Sequence, residues 1–198
     1  MALFWPDLLL FVSLLILLIY VLAVNRISST HKIYLAFHFA MMLWPFGQFM
    51  IAATGYPEFQ LAFAKLSFSA ISLIGAGWLF FVLFLTGKTR LLRGGRALLY
   101  LLPALLCVIC VLWNPGNLFM SPVGGSYLFR EYGPLFWLMV FIQYSYVVFA
   151  MMIMLQSLRK ALPNHKRKQL AIAAFGVVVL AAFCAADLMM NVVLNNWL

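Results

Sequence analysis

The sequence predicts an all-α protein, a polytopic membrane bundle of six transmembrane helices. Three observations carry this. Of the 198 residues, 67% are hydrophobic and only 9% are charged, and the mean hydropathy is +1.07, far outside the range of a soluble globular domain. The apolar residues gather in six runs, and a hydrocarbon core about 30 Å thick takes roughly 20 helical residues to cross. The charged residues fall mostly between the runs, concentrated in alternate intervals. A net charge of +9 therefore orients the chain in a bilayer instead of marking a nucleic-acid binder. Spans fill the chain as one domain, 1–198, with no room for a soluble catalytic domain.

The first run, Leu8 to Val24, follows "MALFWPD", which has no lysine or arginine and carries Asp7. That composition argues for a permanent helix and against a cleaved leader. The second, Ile33 to Thr54, contains Trp44-Pro45, where the missing amide predicts a kink. The remaining runs are Leu61 to Thr86, Ala97 to Trp113, Leu135 to Ser157 and Leu170 to Leu194. Cys107, Cys110 and Cys184 all lie inside apolar runs, so they give no disulfide framework. The C-x-x-C pair has no second ligand pair near it in sequence and reads as helix packing.

Arg26 and Lys32 occupy the first interval, Lys88, Arg90, Arg93 and Arg96 the third, and Arg159, Lys160, Lys166, Arg167 and Lys168 the fifth. The opposite intervals hold only Arg130, with Glu58 and Glu131. The positive-inside rule makes the first set cytoplasmic and the N-terminus external. An even number of crossings then ends the chain outside, so a cytoplasmic output would need a further helix. In the long interval from Asn114 to Pro134, two β-prone stretches, Leu118 to Met120 and Tyr127 to Phe129, flank Gly124-Gly125. They predict a short extracellular β-hairpin between helices 4 and 5, with a plain spacer loop as the alternative.

Ionisable groups inside a bilayer cost about 3 kcal/mol or more and usually face the bundle interior. Lys65 falls roughly 7 Å below the outer start of the third run and Asp187 roughly 10 Å below the outer end of the sixth, both in the outer half. Gln48, Gln143 and Tyr144 fall at similar depth, Asn191 lies one turn from Asp187, and Ser69 and Ser72 share a stripe with Lys65. The candidate ligand-binding set is thus Gln48, Lys65, Ser69, Gln143, Tyr144, Asp187 and Asn191. The alternative is structural: a Lys65 to Asp187 ion pair and interhelical hydrogen bonds, with small residues such as Ala181 and Ala185 allowing close packing. His31, His38 and His165 converge at no depth, which argues against a metal site. No catalytic motif is visible, so neither an enzyme nor a cofactor is expected. Tyr56, Trp113, Tyr132, Trp137 and Trp197 read as interfacial belt residues.

Several segments in order, "HKIYLAF", "WLFFVLFLTGKTR", "LLPALL" leading into "WNPGNLF", "SYLFREYGPLFW" and "HKRKQLAIAAFG", resemble the N-terminal seven-helix sensor region of bacterial and archaeal histidine kinases, also found ahead of diguanylate cyclases. The family often has histidine where Asn117 stands, and proline and asparagine where Phe183 and Asp187 stand. The resemblance implies a receptor-like input module of a two-component system, here without the seventh helix and output domain. Its ligand would be a small molecule or lipid, and its partners a cytoplasmic kinase or cyclase, another membrane subunit, or a second copy in a homodimer. A small proton- or ion-coupled transporter gated by Asp187 and Lys65, or a purely structural membrane subunit, are the competing readings.

Overall fold

A computed structural model describes residues 5–23, 29–159 and 167–178, with 164, 182 and 185 as isolated positions. Five helices are long and apolar enough to cross a membrane: α1 (Trp5–Leu22), α2 (Ser29–Ala53), α3 (Pro57–Leu85), α4 (Arg96–Trp113) and α5 (Pro134–Leu158). Residues 167–178 are helical at the start of the sixth apolar run. Asp187 and Asn191 lie outside the described residues.

Local chemistry sets the helix ends. Pro57 opens α3 behind an extended Tyr56, with Glu58 in the first turn, and Pro134 opens α5 behind an extended Gly133. Proline suits this position because its missing N–H would have no intrahelical partner there. α4 stops at Asn114, which takes the left-handed conformation at φ 44°. Pro45 lies within α2, which continues through it.

α3 is the central helix and packs against α2, α4 and α5, while α1 leans on α2. α4 and α5 touch each other less than either touches α3. Phe11 meets Phe46 at 5.3 Å between ring centroids, and His38 Nε2 lies 2.8 Å from the Leu14 carbonyl oxygen. α1 therefore runs antiparallel to α2.

The bundle has two ends. Between α4 and α5, β1 (Met120–Val123) and β2 (Ser126–Tyr132) pair antiparallel, with Met120 opposite Tyr132 and Pro122 opposite Arg130. Gly124 and Gly125 turn the hairpin at φ 59° and 79°, angles that a two-residue turn matching strand twist requires. The first strand starts later than the sequence predicts because Pro115–Asn117 forms a 3-10 turn. The second runs on to Tyr132, since cross-strand pairing extends to Met120. At this hairpin end a core of Ile51, Phe68, Val111, Phe119, Met120 and Phe136 is fully or almost fully buried. A second core, with Trp78, Leu79, Leu83, Tyr146 and Met154, includes Leu170 and Val177 of the sixth run.

Candidate functional site: a polar stitch beneath the hairpin

Aromatic rings form the floor of the hairpin end. Phe68 on α3 contacts Phe119, Tyr132 and Phe136 at centroid distances of 5.5, 6.0 and 5.8 Å, and Tyr132 stacks on Phe136 at 4.0 Å. Arg130 on β2 lays its guanidinium across this floor, with Cζ 5.0 Å from the Phe68 centroid and 5.8 Å from that of Tyr132. A cation over an aromatic face is held by the ring quadrupole. Strand alternation puts Arg130 and Tyr132 on one side of β2, so the arginine Nε donates to the Tyr132 hydroxyl at 3.1 Å.

The guanidinium then reaches into the helices. Nη1 donates to the Tyr127 carbonyl at 3.1 Å and Nη2 to Gln48 Oε1 on α2 at 2.7 Å. Gln48 Nε2 donates to Ser67 Oγ on α3 at 2.8 Å, and Ser67 donates to the Trp44 carbonyl on α2 at 3.1 Å. One continuous path thus links hairpin, α2 and α3. No carboxylate pairs with Arg130 among the described residues, so its charge is balanced by dipoles and rings. Hydrogen bonds to a charged group contribute about 1.5–3 kcal/mol net.

Two further side chains hold the hairpin down. Buried Gln60 donates from Nε2 to the Thr54 carbonyl at 2.9 Å, and its Oε1 accepts from Ser126 Oγ at 2.9 Å and the Tyr127 amide at 3.0 Å. Asn114 at the end of α4 accepts from the amides of Phe119 and Met120 at 3.0 and 3.2 Å and donates to the Met120 carbonyl at 2.9 Å.

The candidate residues named from sequence are distributed through this frame and do not converge as one cluster. Gln48 belongs to the Arg130 path. Lys65 donates from Nζ to the Leu112 carbonyl at 2.7 Å. Leu112 is in the last turn of α4, where carbonyls lack helical partners and the helix dipole favours a cation. Gln143 bridges α5 to the backbone of α3: the Gly75 amide donates to Oε1 at 2.9 Å and Nε2 donates to the Ser72 carbonyl at 2.9 Å. Gly75 makes that approach possible, because a Cβ there would collide with Gln143 Oε1 and press on the Tyr146 ring. Ser69 Oγ is buried with no hydrogen-bond partner among the described residues. Tyr144 lines a hollow of about 330 Å³ along α5, with Phe141, Ser145, Val148, Phe149 and Met152. Asp187 and Asn191, and with them the Lys65 to Asp187 pair, fall outside the described residues. Among the described residues no group of three metal-binding side chains occurs.

Sequence reasoning passed over Arg130, Gln60, Ser67 and Asn114. Arg130 served there only as a charge count, although "YLFREY" sets it among aromatics with strand alternation toward Tyr132. Gln60 and Asn114 flank span ends and look like ordinary loop polarity until the hairpin folds onto them.

A model of the family described as the N-terminal 7TM region of histidine kinase matches residues 8–196. The chain belongs to this family. No curated protein matches the chain, and no solved structure does. Membership makes it a multi-pass membrane protein of the sensor-region type, and the match takes in α1 from its second turn, all of α2 through α5, the hairpin and the Arg130 path. The 7TM sensor region is an input region and not a catalytic one.

Proposed function

We propose that this 7TM-type sensor region is the input module of a two-component signalling system, lying in the plasma membrane with its N-terminus and hairpin external and its basic loops in the cytoplasm. The loop charges support that orientation: eleven of the thirteen basic residues lie in the first, third and fifth intervals. A small molecule or membrane lipid at the hairpin end shifts the bundle between two arrangements, and the shift passes to a cytoplasmic kinase or cyclase. A ligand moves such an equilibrium only by its differential affinity for the two states.

The observation that carries this reading is the path from Arg130 through Gln48 to Ser67. A disturbance of the hairpin has a direct mechanical route to α2 and α3. Gln48, Lys65, Ser69, Gln143, Tyr144, Asp187 and Asn191 are the side chains we assign to recognition or to its transmission.

The test is a chimera in which this chain replaces the sensor region of a histidine kinase with measurable phosphotransfer. Arg130→Ala and Gln48→Leu should each change basal output severalfold while the protein stays folded and membrane-inserted. Output identical to the unsubstituted chimera in both variants would remove the coupling role. Ion flux through proteoliposomes that disappears with Asp187→Ala would establish the transporter reading in its place.

A further inference from the structure

The two ends of the bundle differ in charge, and among the described residues the basic end has no acid to answer it. Asp7 opens α1, Glu58 opens α3 and Glu131 lies in β2, so all three described carboxylates are at the hairpin end. The α3–α4 turn at the other end carries Lys88, Arg90, Arg93 and Arg96 within nine residues. The three arginines are exposed, and no ion pair engages them among the described residues. Arg159, also exposed, closes α5 beside the same turn, which Lys88 ties to α5 through Gln156 Oε1 at 3.2 Å.

We propose that this turn is a binding surface for anionic phospholipid headgroups. The turn is amphipathic at short range: Thr89–Leu92 forms a 3-10 helix whose Leu91 and Leu92 pack against the core, leaving Arg90 and Arg93 outward. It also sits where a headgroup would be, between the last residue of one span, Leu85, and the first of the next, Arg96. The surface beyond the arginines selects a lipid over an acidic protein. Along α4, the stripe that begins at Arg96 continues through Leu99, Leu102 and Leu106, which are 68%, 46% and 52% exposed. Charge followed along one face by exposed hydrocarbon is the pattern of an anionic head joined to an acyl chain. Juxtamembrane basic residues attract anionic headgroups in this way, and an acidic protein would need only the charge.

The test uses the full chain in phosphatidylcholine nanodiscs with and without phosphatidylglycerol, reading retained lipid by native mass spectrometry. The wild type should retain phosphatidylglycerol over phosphatidylcholine, less so at high salt. Each arginine removed should weaken that preference about fivefold, and R90Q/R93Q/R96Q on the order of a hundredfold. Replacement of the same three by lysine should restore most of it. R93Q alone gives the graded result should the triple variant not fold. An undiminished preference in the glutamine variants overturns the proposal, as does a wild type with none. Co-purification of an acidic protein that depends on the arginines, without lipid preference, overturns the lipid assignment in favour of that partner. Because lipid retention is read without any kinase, its failure is separate from failure of the signalling reading.

Discussion

At the hairpin end, polar atoms are turned inward and used: Gln60, Asn114, Gln48, Arg130 and Lys65 each bond to a different element. At the basic end Arg90, Arg93 and Arg96 point outward and bond to no other element among the described residues, and only Lys88 reaches across. The difference shows where rigidity comes from in a chain with so few charges. Apolar packing gives little discrimination between helix faces in lipid, so buried polar contacts between helices acquire the task of setting register. The hairpin end has many of them, and the other end is held mainly by a mixed apolar core that includes Phe37, Trp78, Val82, Leu83, Ile153 and Met154, with the Tyr146 hydroxyl on the Tyr100 carbonyl and His38 on the Leu14 carbonyl as interhelical polar contacts.

The contrast is broken most forcefully by removing the aromatic floor. Phe68→Ala deletes a ring that is 4% exposed and touches Phe119, Tyr132 and Phe136. Truncating a buried phenylalanine costs about 3–5 kcal/mol. Thermal unfolding in detergent should show a large drop in midpoint; a midpoint unchanged from wild type would mean that the floor does not bear on stability. Arg130→Ala comes next, at about 2 kcal/mol, because it leaves Gln48 Oε1 and the Tyr132 hydroxyl without their donor. Arg130→Lys keeps the charge but loses the planar fork that meets three acceptors at once, so it should recover less than half of that loss. Full recovery would show that charge alone matters there.

How the molecule could be read from its sequence follows the same division. The five described spans were visible as apolar runs, because lipid imposes length and hydropathy on any helix that crosses it. Gly124-Gly125 announced the hairpin turn because both residues need positive φ. Gln48 and Gln143 stood out as polar groups inside spans, and both are engaged between elements. Arg130 did not stand out, since a loop cation looks solvated until the loop folds back over Phe68. Lys65 was visible as a charge inside an apolar span, but its acceptor was not. A backbone carbonyl at the end of another helix has no residue type to read, so Leu112 could not be inferred from side-chain chemistry.

That acceptor gives a smaller and sharper prediction. Lys65→Met keeps the hydrocarbon stem and removes the ammonium from the end of α4. A cation at a helix C-terminus contributes about 0.3–1 kcal/mol, so the unfolding midpoint should fall slightly. Cross-linking between α3 and the last turn of α4 should loosen more visibly than the midpoint moves. A loss as large as that from Phe68→Ala would mean that Lys65 has an additional partner.

The smallest effect is expected at the basic end, and its smallness is the informative part. Arg93→Gln removes an exposed guanidinium whose backbone lies in the α3–α4 turn. In neutral detergent no anionic headgroup is present, and surface substitutions away from packed or paired groups change stability by about 0.5 kcal/mol or less. The unfolding midpoint should therefore match wild type within error. The packing of Leu91 and Leu92 against the core is untouched by the substitution, so the turn itself keeps its anchor. A clear loss in neutral detergent would show that Arg93 has an internal partner, and the two ends would then be alike in how they use their charges.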